Sequence, residues 1–198
     1  YSNGIAQATN VKNAANGLGL VDRVIGVTTI HGESDHLAGT GASYESYLVE
    51  WQNDYETDVK AITGQSSDIP LFTDQMSSQT GYNAATSLIP MAQLSASVNN
   101  PGKIILVGPK YFLGYSDSAH LNAASYRRLG EYYGKVIKKV IIDHEEWRPL
   151  SPDAVVRSGN VLYADFHVPS GSLVFDTTLV NAKANYGFEY YDSTSSAT

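Results

Sequence analysis

Cysteine is absent from the 198 residues. That excludes disulfides, thiolate metal sites and a cysteine nucleophile. Basic residues are few: Lys and Arg total 13, against 20 Asp and Glu, for a net charge of -7. They form no cluster beyond Lys138-Lys139 and Arg127-Arg128. A surface that tracks phosphates, and hence a nucleic-acid partner, is not expected. No apolar run approaches membrane-spanning length, so no membrane partner is expected either. What is present is enough to fold: 42% of residues are hydrophobic and 17% charged, and the length suits one domain with a real core. The 14 tyrosines, with abundant Ser, Asn, Thr and Gly and few Lys, are a profile common in extracellular and virion proteins. The chain opens on Tyr1 without a signal-peptide pattern and closes in a Ser/Thr tail at 192–198, so both ends read as cut from something longer.

Hydrophobic periodicity orders the first three-quarters of the chain. Residues 5–18 have weak helical spacing. Residues 24–30 form a short β-branched run, expected as a buried strand. Tyr44, Tyr47, Leu48, Trp51, Tyr55, Val59 and Ile62 recur at helical spacing, with Ser43 as N-cap and Gly64 as stop. Asp54, Glu56 and Asp58 then read as a solvated helix face. Strands are expected at 69–76 and 103–107, with helices at 83–98 and 122–142. Strand, helix, strand, helix, strand, helix is the order of an α/β fold with a parallel sheet. Such folds carry their chemistry in loops beyond the carboxyl ends of the strands. After Trp147 the pattern changes. Pro149 and Pro152 interrupt the chain, and Val161, Tyr163, residues 166–168 and residues 172–180 read as strands of an antiparallel sheet. The division expected is an α/β domain over 1–149 and an appended, incomplete β element over 150–198.

Two groups of residues carry chemistry. In Asp117-Ser118-Ala119-His120, a carboxylate three residues before an imidazole can turn onto its Nδ1 and leave Nε2 free as a base. The same letters would also suit a helix start at Asn122 with His120 on the surface. The second group, Gly32-Glu33-Ser34-Asp35, follows the first strand. A glycine there lets the backbone N–H approach an oxyanion, although a polar capping turn is the plainer use. His31 and His36 flank this group without a third ligand at metal-binding spacing. The letters Gly64-Gln65-Ser66-Ser67 imitate a nucleophile motif, but they fall between a helix end and a strand start, on the face opposite the expected site.

Taken together, 30–35 (Ile-His-Gly-Glu-Ser-Asp) and 117–122 (Asp-Ser-Ala-His-Leu-Asn), with Phe72-Thr73-Asp74-Gln75-Met76 between them, resemble the SGNH hydrolases. More narrowly they resemble the sialate O-acetylesterase-like carbohydrate esterases, over roughly residues 5–143. The resemblance implies a three-layer α/β/α flavodoxin-like sandwich and a serine hydrolase that removes acetyl groups from sugars such as sialic acid or a polysaccharide, without a cofactor. It makes His120 the general base and Asp117 its orienter. Gly32, Glu33, Ser34, Asp35 and Gln75 become oxyanion or substrate-positioning residues. Glu33 would hold the loop or contact the base. Asp35 stands where the wider superfamily has an oxyanion Asn, so it must be protonated or do something else. The family's serine follows a first strand for which nothing precedes residue 24. A separate N-terminal piece of the same protein is therefore expected as a partner, pairing with the strand at 24–30. The competing reading is a non-catalytic carbohydrate-binding or structural module of a cell-surface or virion protein, in which Tyr186, Phe188, Tyr190 and Tyr191 could stack on sugars. A lipase or thioesterase of the same superfamily is a third.

Overall fold

The computed structural model describes residues 1–84, 86–182 and 184–190. Tyr191 and the 192–198 tail lie outside the described residues. The fold is mixed α/β, with five α-helices, a three-stranded parallel sheet and a small antiparallel pair among those residues.

Helix α1, Ser2–Gly17, precedes strand β1, Val27–Thr29. The short helix α2, Glu33–Ala38, and the long α3, Tyr44–Thr63, lead to β2, Leu71–Gln75. Helix α4, Leu88–Asn99, leads to β3, Ile104–Pro109, and α5, Ala123–Ile137, follows. The sheet order is β1-β2-β3, with Val27 beside Leu71 and Leu71 beside Ile104. β1 is thus an edge strand, and among the described residues its side away from β2 carries no partner.

β2 is buried residue after residue from Leu71 to Asp74, as expected of a strand covered on both faces. Alternation divides its side chains. Leu71 and Ile104 pack with Tyr44, Leu48 and Ile89 of α3 and α4. Phe72, Ile105 and Val107 pack with Leu129, Tyr133 and Val136 of α5. A smaller cluster of Ala8, Val59 and Ile69 ties α1 to α3.

Several elements depart from their sequence expectation. β1 is three residues long, not seven. The helix expected over 83–98 starts only at Leu88, because Asn83 takes a positive φ of 59° and the Ser87 hydroxyl caps the Ile89 N–H at 3.2 Å. The helix expected to run to 142 gives way at Lys138 to one π-helical turn, Lys138–Ile142. Beyond it, β4, Ser151–Ser158, pairs antiparallel with β5, Val161–His167. β4 spans Pro152, which the sequence reading took as a break. Residues 172–180 form no strand and join no ladder, which corrects the strand expected there.

α3 buries Tyr44, Leu48, Gln52, Glu56, Val59 and Thr63, a stripe rotated from the aromatic one expected, and Tyr47 faces out. Glu56 is therefore not part of a solvated face. It sits 2.6 Å from Lys60 Nζ, accepts from Gln52 Nε2 at 2.6 Å, and lies 3.6 Å from Lys103 Nζ. Burial pushes its carboxyl up, but the hydrogen bonds from Lys60 and Gln52 outweigh it and hold the group at about 2. A depressed carboxylate stabilises the fold above its unfolded value and loses that contribution as pH falls through its folded value. Glu56→Gln is accordingly expected to cost about 1–2 kcal/mol at neutral pH. The gap between variant and parent should close as pH drops from 4.5 towards about 2. Urea titrations at several pH values measure it, and a gap independent of pH would refute the assignment.

Candidate functional site

The loop from β3 to α5 is built by its own short-range hydrogen bonds. The Asp117 Oδ1 accepts from the Ala119 and His120 N–H groups at 2.8 and 2.7 Å, closing an Asx-type turn. Ser116 N–H donates to the His120 carbonyl at 2.8 Å, and Tyr115 bridges to Leu121. Asn122 then caps α5, its Oδ1 accepting from Ser125 N–H at 2.9 Å, while Ser125 Oγ accepts from Gly114 N–H at 2.8 Å. The turn is pinned at both ends.

Within it, the second oxygen of Asp117 lies 2.8 Å from His120 Nδ1. The two residues meet as their spacing led one to expect. The N–H groups of His120 and Ala119, together with the imidazole, hold the Asp117 carboxyl at about 2, so it is ionised throughout the neutral range. Both side chains are largely exposed, and among the described residues His120 Nε2 has no hydrogen-bond partner.

Across from His120 lies the turn between β1 and α2. Gly32 precedes α2 with φ 130°. No loop or side-chain acceptor among the described residues takes its N–H. A Cβ built there would stand 2.6 Å from Ile89 Cγ2, so both the backbone angle and the packing demand glycine. Gly32→Ala is expected to lower stability by about 2 kcal/mol. Thermal melts measure this, and an unchanged melting temperature would remove the packing argument.

Gly32, Glu33, Ser34, Lys110, His120 and Tyr126 line one cavity of about 240 Å³. The structure therefore brings four of the seven residues singled out from the sequence, Gly32, Glu33, Ser34 and His120, to one cavity, with a fifth, Asp117, held against His120. It does not bring Asp35 or Gln75 to that wall. Asp35 accepts from the Thr40 hydroxyl at 3.0 Å and lies 3.4 Å from His31 Nδ1. Gln75 Nε2 donates to the Pro90 carbonyl at 2.9 Å, tying β2 to α4. His31 reaches the Tyr44 hydroxyl at 3.0 Å, and His36 reaches Ser87 Oγ at 2.9 Å. Among the described residues, no group of three or more His, Asp or Glu is arranged to hold a metal ion. Ser66 lies in the α3–β2 loop, as its position in the sequence indicated.

Sequence reasoning missed Lys110. Its side chain is 2% exposed, and its Nζ lies 3.0 Å from both Glu33 Oε1 and Asp74 Oδ2. Glu33 Oε1 also accepts from the Ser78 hydroxyl at 3.2 Å. Glu33 thus anchors its loop to the end of β3 and to the segment after β2. Below it, the Tyr133 hydroxyl is 2.6 Å from the Thr29 carbonyl and 3.0 Å from Asp74 Oδ1. Burial pushes the Asp74 carboxyl up, and the Lys110 charge opposes it. Burial alone would push the Lys110 ammonium down, but Asp74 and Glu33 raise it, so it stays charged. The signal available was positional: Lys110 follows Gly108-Pro109 at a carboxyl strand end, where α/β folds gather their functional groups.

Compared with protein-family models, curated proteins and solved structures, the chain matches none of them.

Proposed function

We propose that the chain carries the acid–base half of a carbohydrate O-acetylesterase of the SGNH kind, acting on acetylated sugars outside the cell or on a virion. The observation that carries this reading is the Asp117–His120 pair, which shares one cavity with the Gly32 turn. The finer architecture that goes with it is the flavodoxin-like three-layer sandwich, supported by core clusters on both faces of the parallel sheet.

In this mechanism a serine, supplied by an N-terminal segment outside these 198 residues, attacks the acetyl carbonyl. His120 Nε2 takes the hydroxyl proton as the Oγ–C bond forms, and the ionised Asp117 stabilises the imidazolium. The Gly32 N–H donates to the tetrahedral oxyanion. Collapse expels the sugar hydroxyl, which leaves with the proton from His120. Water then attacks the acetyl-enzyme, giving its proton to the same nitrogen, and acetate leaves as serine recovers it. No step needs a cofactor. The open edge of β1 supports an added strand beside it. A cavity of about 240 Å³ suits a short acyl ester better than a long lipid chain.

A second reading, a carbohydrate-binding or structural module without catalysis, is favoured by one observation: no described hydroxyl meets His120 Nε2. Acetate release from an acetylated oligosaccharide, with an intact mass of the same preparation under denaturing conditions, separates the two. Release together with a serine-bearing segment supports the esterase. Sugar binding without release supports the module.

A further inference from the structure

Helix α5 carries three tyrosines, and packing accounts for two of them. Tyr133 is buried, with its hydroxyl on the Thr29 carbonyl and Asp74. Tyr132 sets its ring against Phe112, with the centroids 5.6 Å apart. Tyr126 has neither kind of contact. Among the described residues no ring packs on it, and its hydroxyl has no hydrogen-bond partner. It is 40% exposed, on the wall of the cavity that holds His120 and the Gly32 turn.

The helical period explains how an aromatic ring comes to stand there. Tyr126, Leu129, Tyr133 and Val136 recur at i, i+3, i+7 and i+10, the face that α5 turns to the sheet. The last three are buried against Phe72, Ile105 and Val107. Tyr126 lies about 10 Å nearer the start of the helix than Tyr133. Tyr133 already reaches Thr29, the last residue of β1. The apolar face thus runs on past the carboxyl edge of the sheet, and Tyr126 is its uncovered end. Its backbone is fixed, because its N–H donates to the Asn122 carbonyl at 2.9 Å in the capped first turn.

The rest of the cavity wall says what would lie on the ring. Ile30, 48% exposed, adds apolar surface, while Glu33, Ser34 and His120 add polar groups. The Ser34 hydroxyl has no partner among the described residues. A flat aromatic face beside hydrogen-bonding groups matches a pyranose, which gathers C–H bonds on one face and carries hydroxyls around its edge. A long acyl chain would leave those polar groups unpaired. The acetyl group itself has two carbons and belongs at Gly32 and His120, so the ring is left for the alcohol part of the ester. We propose that Tyr126 is a specificity-determining residue, the platform on which the sugar bearing the acetyl group stacks. The inference rests on the esterase reading and adds which part of the substrate is recognised, and by which side chain.

Two esters test it: an acetylated oligosaccharide, and vinyl acetate, which has no ring to stack. Both are given to the preparation that carries its serine-bearing segment. Tyr126→Ala and Tyr126→Leu should each lower the ratio of kcat/KM for the sugar ester to that for vinyl acetate by roughly 10- to 100-fold, the scale of one lost apolar contact. The loss should lie in the KM for the sugar ester, since a platform holds ground state and transition state alike. The ratio does not depend on how much of a variant is folded, so a less stable variant still reports. Tyr126→Phe keeps the flat face and should keep most of the ratio. An unchanged ratio in the alanine or leucine variant, a fall confined to kcat, or a phenylalanine variant as impaired as the alanine one would overturn the platform and leave the esterase reading standing. A parent that hydrolyses neither ester, or vinyl acetate alone, would remove the sugar esterase and the platform together.

Discussion

Replacing His120 by alanine is expected to lower acetate release by roughly 10⁴- to 10⁶-fold, the scale on which loss of a triad base acts. The comparison is made on a preparation that releases acetate, with its serine-bearing segment present. The fold should be indifferent to the change. The side chain is 70% exposed, and the turn around it is held by main-chain N–H groups on Asp117, not by the imidazole. Surface substitutions of this kind shift stability by no more than about 0.5 kcal/mol. A loss of activity therefore cannot be charged to unfolding. Asp117→Asn refines the test. An amide oxygen still accepts from Ala119 and His120, so the turn survives. The amide nitrogen, however, meets Nδ1 with a donor and favours the wrong imidazole tautomer, at a cost of about 10⁴-fold. Acetate release that survives the His120 replacement would remove His120 from the reaction and leave the pair a surface turn.

What could be read in advance divides along the distance over which each feature is specified. The Asp117–His120 pair spans three residues and is closed by hydrogen bonds inside the same turn, so its letters nearly determine its geometry. The end of α3 at Gly64, with φ 76°, is equally local. The late start of α4 is local too, and its signal in the sequence is the Ser87 cap. β4 was hidden for a different reason. It has no covered face, so its sequence shows no alternation between inside and outside. Residues 172–180 show the converse: β-prone side chains without a neighbouring strand make no ladder. Asp35 and Gln75 are expected at the site only through the family resemblance. Which way each turns is set by Thr40, His31 and Pro90, partners chosen by tertiary packing. The Glu33–Lys110 pair spans 77 residues and has no local signature at all.

Lys110→Met is expected to be the most destabilising single change, by about 3–5 kcal/mol. On a chain of this size that is roughly a 10 °C fall in melting temperature. Methionine matches the lysine stem in length, so packing changes little and the cost is electrostatic. Removing the ammonium leaves Asp74, fully buried, and Glu33, with its side chain 20% exposed, facing each other without a cation. Asp74 must then take up a proton, while Glu33 can turn towards water and release the Gly32 turn. The two consequences are separable. Adding Asp74→Asn to Lys110→Met removes the buried anion while keeping an oxygen for the Tyr133 hydroxyl. Much of the lost stability should return, because a buried ion pair replaced whole costs far less than one broken in half. Acetate release should not return with it, since Glu33 still lacks the contact that holds its loop beside His120. A Lys110→Met protein that melts with the parent would mean that the ammonium contributes no net stability to the fold. A combined variant that regains full activity would mean that Lys110 acts on the fold alone and does not position the site.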